Sequence, residues 1–194
     1  AWEPVVSALK RTHEITTKIF YYRGVETQTE LITEASYRDI SRMLPTPLTW
    51  TKWEILIESA GDWDPKLRAM ENEFLNPTEE RVKLFLREKD EAIDLAKKSL
   101  GDIERAREKL KTEDFKDIYR EFSLELELAR AHRAWTEVWM LYEMWWQCGR
   151  REAEAEKLRS ALRGFSSLAD ELENRGYGVK CMRDVIEEIN TMID

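Results

Sequence analysis

The residues best suited to chemistry in this chain are aromatic. Eight tryptophans occur among 194 residues: Trp2, Trp50, Trp53, Trp63, Trp135, Trp139, Trp145 and Trp146. Trp135, Trp139, Tyr142 and Trp146 are spaced i, i+4, i+7 and i+11, which stacks four large rings on one face of a helix. Trp50 and Trp53 share a face in the same way. Such a stripe reads in three ways. It is most often core, where a neighbouring element covers the rings. It can be an open platform for an oligosaccharide, with the apolar face of a sugar lying on indole and the hydroxyls meeting charged neighbours. Arg133, Glu137 and Glu143 flank the rings and would serve. It can also be a contact surface for another domain, since aromatic residues concentrate at interfaces.

Other chemistry finds little to stand on. There are two histidines, His13 and His132, and neither closes a Glu-x-x-His pair of the kind a di-iron bundle needs on two helices. His-Glu-x-x-His and paired Cys-x-x-Cys are also missing, so no metal ligand is assigned. No Gly-x-Ser-x-Gly elbow and no glycine-rich phosphate loop occurs, so no cofactor is implied. Cys148 falls at the C-terminal end of a helical pattern, where the negative dipole disfavours a thiolate. Two cysteines are too few for a disulfide scaffold, and whether Cys148 meets Cys181 stays open. The 39 acidic residues include no pair marked by an apolar setting, so no catalytic residue is assigned.

Charge narrows the partners. Lys and Arg number 31 against 39 Asp and Glu, a net charge of -8 that argues against a nucleic-acid surface. No apolar run approaches the ~20 residues of a membrane span. With 42% hydrophobic and 36% charged residues the chain reads as soluble and globular. Only four Asn and two Gln stand beside abundant Glu, Lys and Arg, a balance seen in thermophiles. The chain opens on Ala1, with no signal peptide, and reads as a piece of a longer protein.

The elements that must carry these residues are helical. Only 7 Gly and 5 Pro occur, which favours long regular segments. Pro4 opens a helix to about Tyr22, closed by Arg23-Gly24. Residues 25–32 read as an extended loop, with a short strand as the alternative. Short helices are predicted over 36–44, from Thr49 or Thr51 to Glu58, and over 65–75. Asn76-Pro77-Thr78-Glu79 then starts a long helix to about Leu110, with Asn76 as cap and Glu79 reaching back. Thr112-Glu113-Asp114 caps a second, apolar on two sides, which Gly149 stops. A third runs to about Asn174, and an amphipathic helix carrying Val185, Ile186, Ile189 and Met192 ends the chain. Gly101 and Gly164 fall inside helical patterns and mark kinks, abutting helices or close helix approach. The expected architecture is all-α: an antiparallel bundle of three to four long helices (76–194) with a layer of short N-terminal helices (1–75) packed on it.

One resemblance carries further. Ala8-Leu9-Lys10-Arg11-Thr12-His13-Glu14-Ile15 leads into Phe20-Tyr21-Tyr22-Arg23-Gly24. Asn76-Pro77-Thr78-Glu79-Glu80-Arg81-Val82 follows, then Glu88 to Ala96, and Asp114-Phe115 precedes a Trp/Tyr-rich stretch. This order resembles the helical region that follows the catalytic barrel in some bacterial glycoside hydrolases acting on polysaccharides. The resemblance implies that the catalytic carboxylates lie upstream of Ala1, and it carries no functional residue onto this chain. The expected function is a non-catalytic helical accessory domain, supporting an upstream catalytic domain, a homo-oligomer contact or a glycan cleft. The alternative is a free-standing helical protein-interaction module.

Overall fold

A computed structural model describes residues 2–22, 25–26 and 77–193. These form five α-helices: α1 Glu3–Phe20, α2 Glu79–Ala106, α3 Thr112–Gln147, α4 Glu152–Asn174 and α5 Lys180–Ile193. A two-rung antiparallel hairpin, β1 Tyr21–Tyr22 with β2 Val25–Glu26, follows α1. It truncates the first predicted helix by two residues and answers the loop-or-strand question at Val25 in favour of a strand. The short helices predicted within 27–76, and with them Trp50, Trp53 and Trp63, lie outside the described residues.

The heptad logic of α2 explains the packing. Val82, Phe85, Lys89, Ala92, Ala96, Ser99, Ile103 and Ala106 are buried and recur at alternating steps of three and four. That spacing keeps one seam facing the neighbours along the whole helix. Helix α1 lies antiparallel against this seam: Arg11 reaches Ser99 while Lys18 reaches Glu91. It packs chiefly on α2, with few contacts to α3. Helix α2 packs on α3, α3 on α4 and α4 on α5, each antiparallel to the last.

At 36 residues α3 spans about 54 Å and serves two cores. Its N-terminal half closes a small cluster of Val5, Ala8, Ile103, Ala106 and Phe122. Its C-terminal half anchors the main cluster, with Trp135, Trp139, Phe165, Leu158 and Met182 among its buried members. Each such side chain contributes about 1.5–3 kcal/mol on removal from water.

Three details of the helix ends differ from expectation. Thr78, not Asn76, caps α2, its Oγ1 accepting from the Arg81 amide at 3.2 Å. Glu79 is therefore the first helical residue and too early for a capping box, which needs the third. Lys111 precedes α3 in extended conformation with no side-chain cap bond, so Thr112 is already helical. Gly149 and Gly176 behave as stop signals, at φ +79° and +86°. Gly101 and Gly164 do not break their helices, and no backbone crowds them: a Cβ at Gly164 would meet nothing within 4 Å.

Candidate functional site

On α3, Arg130, Arg133, Ala134, Glu137 and Leu141 fall at i, i+3, i+4, i+7 and i+11, so they share one helix face. Among the described residues no other helix covers this face. It forms the floor of a cleft of about 600 Å³ between α2 and α4. Ile93 contributes from α2, and Lys157, Ser160, Ala161, Gly164, Phe165 and Leu168 from α4. Small residues keep the cleft open, and the missing side chain at Gly164 leaves space on the α4 wall. The volume falls within the roughly 300–1,000 Å³ of small-molecule sites.

Ion pairs hold the polar walls. Arg133 donates from Nε to Asp90 Oδ1 of α2 at 3.1 Å and from Nη1 to Glu137. Arg130 makes a bidentate pair with Glu171 of α4, at 2.8 and 2.6 Å, and donates again to Glu127 at 2.8 Å. Glu127 is buried and also receives Arg175 from the end of α4. Across the mouth, Lys157 of α4 meets Glu79 of α2 at 2.7 Å. These contacts hold Glu171 and Glu79 below the usual carboxylate range, through the hydrogen bonds from Arg130 and Lys157.

The predicted aromatic face divides. Trp135 and Trp139 are 3% and 1% exposed and belong to the main core, with Trp135 against Phe165 at a centroid distance of 6.3 Å. They are core and cannot act as an open platform. Arg133 and Glu137 lie on a different face of α3, in the cleft, so they do not flank these rings. Tyr142 is half-buried and its hydroxyl donates to Met192 of α5 at 3.3 Å. Trp146 is 47% exposed at the end of the helix. The Arg150 guanidinium stacks 4.0 Å from the Trp146 ring centroid and 5.7 Å from that of Trp145. Arg150 sits at φ +59°, a conformation costing about 1–2 kcal/mol outside glycine. The cation–π stack offsets part of this, at about 0.5–1 kcal/mol.

The most perturbed titratable groups lie elsewhere, between α1, α2 and α3. Lys89 is buried within the α2 seam and donates to the carbonyls of Lys18 and Ile19 at the end of α1. Burial pushes its ammonium down to about 8. His132 of α3 is buried near it, and burial, with the Lys89 charge, holds its imidazole down at about 3. Glu125 of α3 is pushed up to about 7, chiefly by burial, against a hydrogen bond from Thr12 and the charge of Arg11. Their geometry is that of helix docking: the polar groups are directed at helix ends and neighbouring side chains. Cys148 is a free thiol whose Sγ donates to the Trp145 carbonyl at 3.2 Å, and the side chain of Cys181 lies outside the described residues. Among the described residues no group of three His, Cys, Asp or Glu is placed to hold a metal ion.

The sequence reading assigns no role to Arg130, Lys157 and Ser160 in the cleft or to Lys89 in the core, and it reads Gly164 as a kink, helix junction or close approach, not as a cleft wall. The α3 floor was visible as a second period beside the aromatic one. Lys89 was visible as a charged residue on a heptad core position. Lys157 and Ser160 carried no signal, because they reach the cleft only through the way α4 docks. Comparison with protein-family models, with curated proteins and with solved structures finds no match to this chain. No described helix is long and apolar enough to cross a membrane.

Proposed function

We propose that this chain is a non-catalytic helical accessory domain of a carbohydrate-active enzyme, and that it presents the α2–α3–α4 cleft to a glycan. One observation carries the reading. Arg133 and Glu137, paired with each other, line a cleft of about 600 Å³ whose surface also includes Ile93, Leu141 and Leu168. Sugars need this mixture. Planar guanidinium and carboxylate groups bind vicinal hydroxyls in pairs, while aliphatic surface takes the apolar face of the ring. The glycoside hydrolase resemblance points to the same class of ligand, with bond cleavage assigned to an upstream catalytic domain. Titration of the chain with oligosaccharides, followed by backbone amide shifts, tests it. Saturable shifts at Ile93, Ala134 and Gly164 are expected, and they disappear in Arg133→Ala. Turnover of an aryl glycoside by the 194-residue chain alone would overturn the non-catalytic assignment.

A second reading rests on a separate surface. Trp2, just before α1, and Val6 and Leu9 on it are 55%, 45% and 57% exposed and lie at i, i+4 and i+7. An apolar stripe of that kind fits a contact with an upstream domain or a second copy, or the groove of a free-standing interaction module. A concentration-dependent rise in mass by light scattering, abolished by Leu9→Lys, would support the second copy.

A further inference from the structure

The cleft is rich in charge but not in unbalanced charge. Each cation lining it already faces carboxylates: Arg130 faces Glu127 and Glu171, Arg133 faces Asp90 and Glu137, and Lys157 faces Glu79. Arg175 shares Glu127 and Glu171. Among the described residues, four cations around the cleft thus meet five carboxylates, within a chain of net charge -8. A ligand carboxylate or sulfate would have to displace a protein carboxylate from its guanidinium, inside a field that is negative overall. Removing one partner of a half-buried pair leaves the other uncompensated, so the exchange is unfavourable. A hydroxyl faces no such conflict. It can donate to Glu137 or Asp90 and accept from an Arg without separating any pair. Among the described residues the hydrogen bonds of these pairs use neither Arg133 Nη2 nor Arg130 Nε, and the Ser160 hydroxyl adds a further donor and acceptor.

We infer that the cleft selects an uncharged, hydroxyl-rich oligosaccharide and rejects uronate and sulfated glycans. The inference rests on the glycan reading of the cleft given above. It assigns Glu137 and Glu79 a discriminating role: they keep Arg133 and Lys157 neutralised, and so keep anions out. Protein carboxylates act here as the repulsive element of specificity.

The test uses calorimetry on the 194-residue chain with two panels. One holds neutral tetrasaccharides of glucose, xylose and mannose; the other holds a galacturonate tetrasaccharide and a sulfated heparin-derived one. At least one neutral sugar is expected to bind, with affinity changing less than about twofold between about 20 and about 200 mM salt. Neither acidic sugar binds more tightly than it does. In Glu137→Gln, the acidic sugars gain about tenfold while circular dichroism stays unchanged, a change that a merely structural role would not produce. Preferential, salt-sensitive binding of an acidic sugar by the native chain would overturn the inference and leave the glycan cleft standing. Silence from both panels would overturn the glycan reading itself, and this inference with it.

Discussion

The ammonium of Lys89 lies beneath the C-terminal end of α1, donating to the Ile19 carbonyl at 2.8 Å and to the Lys18 carbonyl beside it. A charged residue of one helix thereby caps another. The last carbonyls of a helix have no partner within it and carry the negative end of its dipole, so a cation there satisfies both needs. The cap sits in the α2 core seam, which ties the register of α1 to that of α2.

Lys89 should therefore make stability rise with alkalinity. Its folded pKa is depressed to about 8 from 10.5, so the unfolded chain binds the extra proton between those values. The stability it contributes is complete above 10.5 and is lost as pH falls through 8. Lys89→Met leaves two helix-end carbonyls without their donor but relieves the buried charge. It should cost about 1 kcal/mol at pH 7 and about 3 kcal/mol near pH 10 by urea unfolding.

His132 governs the acid side. It is buried and neutral, with its pKa held down at about 3 by burial and by the Lys89 charge. The unfolded chain takes up a proton near 6.5 that the folded one refuses, so stability falls between about 6.5 and about 3. His132→Gln removes the titration and should move the acid-unfolding midpoint down by about one pH unit, read by far-UV circular dichroism.

Glu125 acts in the opposite sense. Its carboxyl is raised to about 7 mainly by burial between α3 and α1. The neutral form fits the fold, so its contribution is present at low pH and is lost as pH rises from about 4.5 to about 7. Glu125→Gln should stabilise the protein by about 1 kcal/mol at pH 8, after allowance for solvent screening at a partly exposed site. The gain should vanish below pH 5.

The divided aromatic face predicts a contrast. Trp139→Ala opens a cavity in the main core and should cost about 3–5 kcal/mol. Trp146→Ala, at an exposed helix end, should change stability by less than about 1 kcal/mol. Thermal melts of the two variants check the difference directly.

Ion pairs link α1 to α2, α2 to α3, α3 to α4 and α4 to α5. Networks of this kind gain value with temperature, as the cost of desolvating charge falls. With so few amides in the chain, the thermophile expectation predicts a melting midpoint above about 65 °C. A midpoint between about 45 and about 65 °C would remove that expectation.

The long helices were legible because their signals are local. Periods of three and four, capping residues, and the glycines at 149 and 176 act within one turn, and α2 to α5 end within a few residues of where those signals place them. Asn76 and Thr78 are both good cap residues, and only backbone conformation selects Thr78 for α2. The candidate site was half legible. Arg133 and Glu137 stand out as charges beside the aromatic stripe, but residues two apart on a helix point about 160° away from each other, so they face the cleft and not the rings.

From sequence alone followed the all-helical class, the long antiparallel elements and a helix apolar on more than one side. Each depends on interactions between residues a few positions apart. Tertiary structure decided which face of α3 is covered. Helix α4 packs on Trp135 through Phe165, while among the described residues the face of Arg130, Arg133 and Glu137 lines the cleft between α2 and α4. It also placed Lys89 under the end of α1 and brought Lys157 across to Glu79. These are contacts between residues about 70 to 80 positions apart. They depend on how helices dock, a property of side-chain shape and burial across the whole bundle that no local window of sequence contains.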